Sequence, residues 1–311
     1  MKSLFCFKKG GKMIVKKENE VYISASDWIH SATIVGLIQY FKFHNKQYEI
    51  KEMQVKDIFD EFLIFDKTDV RKEEYFEFVK EFYKIEDTEK YSTIEEFFLK
   101  KEHLYVNYCN KRYFFKGEKK AACRVRGYYF DNMRKERSTN WGFEKGIIYQ
   151  DSKFFDFIHF AFVGNEHETL FLNNNYSLKT LEEIYLDFKN EEGENVFSKL
   201  INLIQNFKLR HSIEIIYKDK KNKYFETYFL SDNTIEALET VDIEKIDCTV
   251  KLAEEEYLNI AKEIFICALK GGNLNRTIGR IMNFYHINPS LALHDVLEEM
   301  IKLNAVLKKE G

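Results

Sequence analysis

Between Lys111 and Lys145 the chain places eleven cations, Lys111, Arg112, Lys116, Lys119, Lys120, Arg124, Arg126, Arg134, Lys135, Arg137 and Lys145, against Glu118, Asp131, Glu136 and Glu144, a local net charge of +7. Tyr113, Phe114, Phe115, Tyr128, Tyr129, Phe130, Trp141 and Phe143 interleave with those charges. Cations draw in phosphates and release counterions, while aromatic faces accept unstacked bases. The chemistry offered is therefore nucleic-acid contact, with solvated charges around an aromatic core as the plain alternative. With 48 Lys+Arg against 51 Asp+Glu the whole chain carries −3, so the remainder carries −10. A polyanion site must be local rather than a property of the overall field.

Two further groups could meet a nucleic acid. Asn173-Asn174-Asn175 offers amides to base edges, or shapes a tight loop. Arg276 and Arg280 follow the Gly271-Gly272 break at the expected start of a helix, where backbone N–H groups and guanidinium both suit a phosphate. Capping and solvent exposure are the alternative roles for that turn.

Catalytic and metal motifs are thin. The chain has no Gly-x-Gly-x-x-Gly, no Walker loop and no His-Glu-x-x-His. Glu166-His167-Glu168 pairs carboxylates around a His, but neighbours in an extended segment point to opposite faces. Cys109 and Cys123 form no Cys-x-x-Cys knuckle, so zinc would need ligands from elsewhere, such as His103. Glu214 and Lys218 stand one residue too far apart for the Glu-x-Lys strand of metal nucleases, and their segment is expected to be a surface strand. No catalytic residue, metal or cofactor is expected.

The elements that must position these groups follow from periodicity. Residues 13–24 predict a strand pair around the polar Lys16–Glu20 turn. From Ser26 as N-cap, Trp28, Ile29, Ala32, Val35, Ile38 and Phe41 predict a helix to about residue 43 with one broad apolar face. Residues 46–69 predict a strand and a short amphipathic piece. Residues 70–101 predict an acidic helix with Tyr75, Phe78, Val79, Phe82 and Tyr83 as its stripe. Residues 147–172 are strand-like, Ser177 caps a helix through Phe188, 196–209 form another, and Ser212–Tyr217 pairs with Tyr224–Leu230. From about Leu252 the period is helical, broken at Gly271-Gly272 and Pro289 into three helices.

The fold class expected is α+β: a mixed α/β N-terminal body over 1–245, carrying the basic segment 111–145, and a C-terminal helical bundle over 250–311. At 311 residues and 45% hydrophobic, the chain has ample material for two packed cores. Five Cys at irregular spacing fit reduced thiols. The apolar stretch Ala32–Ile38 is far below the roughly 20 residues that span a bilayer. Leu4–Phe7 is too short for a signal-peptide core. A cytoplasmic protein without a membrane partner is expected.

Four segments, in order, resemble one family. Asp27-Trp28-Ile29-His30-Ser31-Ala32-Thr33-Ile34-Val35-Gly36 resembles the W-x-x-x-A-G-I-V-G signature of the large subunit of type I-B CRISPR–Cas effector complexes (Cascade), with Thr33 where that signature has glycine. Phe155–Phe162, Leu170–Leu178 and Gly272–Asn275 are similar to its later segments, whereas the zinc-knuckle Cys pairs of many members are absent. The resemblance implies a non-catalytic subunit that contacts the flanking motif (PAM) of target double-stranded DNA. Its implied partners are guide RNA, other effector-complex subunits and a helicase-nuclease. A metal-dependent nuclease using Glu166, His167 and Glu168, or a protein-only interaction scaffold, are the competing expectations.

Overall fold

The computed structural model describes residues 6–9, 12–15, 19–25, 27–55, 58–82, 84, 152–165, 168–174, 177–207, 213–219, 225–253, 256–270 and 272–307. Contacts divide the chain into two compact units, each assembled from separate stretches: Met1–Phe162, Glu166–Tyr185 and Ile216–Glu226 in one, and Val163–Asn165, Leu186–Ile215 and Thr227–Gly311 in the other. The class is α+β, as expected.

The first unit is organised by helix α1 (Trp28–Phe43). Its N-cap is Asp27, whose carboxylate accepts from the His30 backbone N–H at 3.0 Å and from His30 Nδ1 at 2.7 Å. The cap thus falls one residue after the expected Ser26, because Asp27 directly precedes the first helical residue and reaches the free amide. Instead of one apolar face, every residue from Trp28 to Ile38 is buried. A helix apolar nearly all round must be covered on all sides.

Its cover includes β3 (Glu20–Ser24), helix α2 (Lys72–Phe82) and a 3-10 helix, Ser152–Ala161. Within the stretch 147–172, whose composition is strand-like, residues 152–161 form this 3-10 helix instead. Phe154, Phe157 and Phe160 recur every third residue, the period of a 3-10 helix, which stacks them on one edge. Phe157 lies 5.3 Å from the Tyr40 ring and 4.9 Å from Tyr75, and Phe160 lies 4.5 Å from Phe78. Ten residues is long for this helix type, so tertiary packing rather than local preference sustains it.

The close approach depends on Gly36: a Cβ there would stand 1.9 Å from the Phe157 carbonyl oxygen. Tyr185 donates to the neighbouring Phe160 carbonyl at 2.7 Å, satisfying an acceptor that burial would otherwise orphan.

At its other end α1 closes with Asn45 in the left-handed region, φ 52°, and Lys46 N–H donating to Phe41 O at 2.8 Å. That Schellman closure delivers the Lys46 ammonium to Glu74, to the Asp69 carbonyl and to Tyr40. Tyr40 donates to Glu74 at 2.8 Å. Burial and the Glu74 carboxylate raise the Tyr40 phenol well above its ordinary value. Burial pushes the Glu74 carboxyl up, yet the Lys46 ammonium and Tyr40 hydroxyl hold it below its usual range.

Helix α2 buries Tyr75, Phe78 and Val79 as its expected stripe. It runs to Phe82, and Lys84 follows at φ 48° with its N–H on the Glu81 carbonyl, while Tyr83 and residues 85–101 of the expected helical stretch lie outside the described residues.

The sheet of this unit runs β2-β1-β4-β5-β3, with β1 (Cys6–Lys9), β2 (Lys12–Val15), β4 (Glu49–Val55) and β5 (Ile58–Asp66), each neighbouring pair antiparallel. The expected pairing within 13–24 does not form. β2 pairs β1, and β3 pairs β5 with Val21 opposite Phe65. A short loop makes local pairing easy, but β3 must bury Ile23 beside Leu63, and that tertiary requirement prevails. Residues 46–69, expected to hold one strand, form β4, β5 and a 3-10 turn, Lys67–Asp69. On β5, Leu63 and Phe65 alternate with Phe62 and Ile64, which join Met53 and Tyr22 in a separate cluster.

A four-stranded sheet has the order β6 (Val163–Gly164), β7 (Glu168–Asn173), β8 (Glu214–Asp219), β9 (Glu226–Phe229). The expected pairing of β8 with β9 is present. Helix α3 (Leu178–Asn190) starts at the expected cap, Ser177, whose Oγ accepts from Thr180 N–H at 3.0 Å.

The second unit contains α4 (Val196–Phe207), α5 (Asp232–Glu239), the single turn α6 (Ile243–Ile246), α7 (Ile260–Leu269), α8 (Asn275–Ile287) and α9 (Leu291–Leu307). Phe197, Ile201, Ile204, Ile246, Ile264, Phe265 and Met300 lie in its core. The three C-terminal helices are α7, α8 and α9. Just before them, residues expected to begin the helical stretch form a hairpin of β10 (Thr249–Ala253) and β11 (Glu256–Asn259). Alternation of exposed Lys251 and Tyr257 with buried Val250 and Leu258 gives that hairpin its period of two.

The two helical glycines whose surroundings differ most make a paired test. Gly36→Ala must displace backbone, so it is expected to lose at least the roughly 1–3 kcal/mol of an overpacked core. Gly279→Ala in α8, with nothing within 4 Å of the added carbon, is expected to be neutral or to gain up to about 1 kcal/mol. Denaturant unfolding of the purified variants reads both, and equal effects would contradict the close approach at Gly36.

Candidate nucleic-acid interface

Of the residues singled out for nucleic-acid contact, Lys111, Arg112, Lys116, Lys119, Lys120, Arg124, Arg126, Arg134, Lys135, Arg137 and Asn175 lie outside the described residues, as do Glu166 and His167. The others fall in different units: Asn173 and Asn174 in the first, Arg276 and Arg280 in the second.

Asn173 is the last residue of β7, and Asn173 and Asn174 are 2% and 5% exposed. Both take part in interactions within the chain. The strand brings Asn173 to this place because Leu170, Phe171 and Leu172 are buried in succession, marking a strand covered on both faces.

Glu168 begins the same strand and meets Tyr217 of β8. The Tyr217 hydroxyl stands 3.4 Å from Glu168 Oε2 and 3.2 Å from Asp219 Oδ2. Burial, with the Glu168 and Asp219 carboxylates adding to it, raises the phenol far above its ordinary value. Tyr217 therefore stays protonated and serves these carboxylates as a hydrogen-bond donor. Among the described residues no group of three or more His, Cys, Asp or Glu is arranged to hold a metal ion.

Strand β8 corrects one expectation. It is not a surface strand: Ile213, Ile215, Ile216 and Tyr217 are buried, and so are Glu214 and Lys218. The signal available in the sequence was the unbroken apolar run between the two charges, which marks a strand covered on both faces. Lys218 is 1% exposed and its ammonium donates to the Asp219 carbonyl. Burial lowers its pKa from 10.5 to about 8, against the opposing pull of Asp219 and Glu226.

The start of α8 is built from amides. Asn304 of α9 accepts from the Leu274 N–H at 2.7 Å and donates to Asn275 Oδ1 at 2.9 Å. Asn273 Oδ1 accepts from Asn275 N–H at 3.2 Å. The Gly272–Asn275 block thus joins α8 to α9, and two of the backbone donors near this helix start already have acceptors. Thr277 donates to Glu263 at 3.1 Å. Arg276 is exposed in the first turn, while the Arg280 guanidinium pairs with Glu256 of β11. The sequence shows Asn273 and Asn275 but gives no local sign of Asn304, which is 30 residues from Leu274 in the chain.

No helix among the described residues is long and apolar enough to cross a membrane.

Two consequences of this geometry can be measured. A lysine whose pKa is lower folded than unfolded disfavours the fold fully below about pH 8, and the penalty fades as pH rises toward 10.5. The stability of the native chain relative to Lys218→Met is therefore expected to rise between pH 8 and 10, read as the difference in Tm, and a flat difference would contradict it. Asn304→Leu leaves the buried Leu274 N–H without its acceptor and is expected to cost about 1–3 kcal/mol in denaturant unfolding.

Comparison with known proteins adds one match. A family model described as CRISPR-associated protein Csx8 matches residues 19–89 and 80–213. No curated protein and no solved structure matches.

Proposed function

This chain belongs to the CRISPR-associated protein Csx8 family, and from that premise we propose that it is a non-catalytic large subunit of a guide-RNA-directed surveillance complex of the type I-B, Cascade kind. In this reading it contacts the target double-stranded DNA and its flanking motif and helps recruit the helicase-nuclease. Family membership makes it a CRISPR-associated protein that works with other CRISPR–Cas components. The finer role is supported by one observation above others. The matched span 80–213 runs through Lys111–Lys145, where a net charge of +7 and eight aromatic side chains sit in a chain that is otherwise acidic.

The physical logic is a division of labour. Base pairing with a guide reads the sequence, so the protein has only to hold backbone and recognise a short duplex motif. Cations that neutralise phosphates supply affinity, and aromatic faces hold separated bases. Neither task needs a catalytic group. Arg276, exposed at the start of α8, would add a further phosphate contact, whereas Arg280 would have to exchange its Glu256 partner.

The test begins with a tagged purification from native cells, sequencing the RNA and identifying the proteins that co-purify. Short RNAs of uniform length with repeat-derived ends, together with stoichiometric partner proteins, are expected. An RNA-free monomer that cuts nucleic acid with turnover when given Mg²⁺ or Mn²⁺ would overturn the reading in favour of a nuclease.

Within the assembled complex, replacing Lys119, Lys120, Arg124 and Arg126 by Glu is expected to weaken binding to target duplex by at least tenfold and to flatten its salt dependence. Unchanged binding would remove the basic segment from the interface and favour a protein-only scaffold.

A further inference from the structure

We draw no further inference here: the strongest candidate, the exposed apolar corner that Ile287 and Leu291 make where the last two helices meet around Pro289, carries nothing because nothing in the structure shows what covers it.

Discussion

The contact between helix α1 and the 3-10 helix Ser152–Ala161 is the constraint from which the first unit follows. Gly36 lets the Phe157 carbonyl approach to a distance that any Cβ would block. Once that carbonyl is seated, Phe157 reaches both Tyr40 and Tyr75, and Phe160 reaches Phe78. These rings meet edge-on or tilted, the arrangements that aromatic quadrupoles favour. The same contact explains why α1 has no polar face. Enclosed by a helix, a sheet strand and the 3-10 segment, it exposes only Lys42 and Phe43 at its C-terminal end, and its polar closures are confined to its two ends.

Those ends are where polar chemistry concentrates. Asp27 closes the first turn, and the Schellman turn at Asn45 hands Lys46 to Glu74 and the Asp69 carbonyl. The second unit repeats the principle with other residues. Asp247 receives the Glu194 N–H at 2.9 Å and the Ser198 hydroxyl, Glu299 receives the Asp242 N–H at 2.9 Å, and Asn304 receives the Leu274 N–H. In each case a side chain distant in sequence accepts from a group near a helix start, and at Leu274 the amide is one that burial has cut off from water. These polar groups are thus held in bonds within the protein. The charge asymmetry of the Lys111–Lys145 segment stands out against that background.

Tyr217 stands between Glu168 and Asp219. The arrangement holds two carboxylates with a phenol that stays neutral, which is a structural use of residue types that elsewhere do acid–base work. The family match sets the biological context as CRISPR-associated, and the concentration of positive charge within the matched span carries the proposal for how the chain takes part.

The sequence by itself determined the α+β class, the position of α1, the stripe of α2, the Ser177 cap, the β8–β9 pairing and the three C-terminal helices. Each rests on a local period or a cap that a few neighbouring residues encode. It also determined the basic, aromatic segment, since net charge is a property of composition. Tertiary structure decided the rest. Phe154, Phe157 and Phe160 have strand-forming side chains, and only burial against α1 turned them into a 3-10 helix. β3 chose β5 over its neighbour in sequence because a buried Ile23 outweighs a short loop. Lys218 reads as a surface residue by type, yet the sheet buries it and lowers its pKa. Asn304 acquires its role only when α9 lies beside the start of α8. Local sequence encodes period and capping; partner choice and burial are set by contacts between residues far apart in the chain.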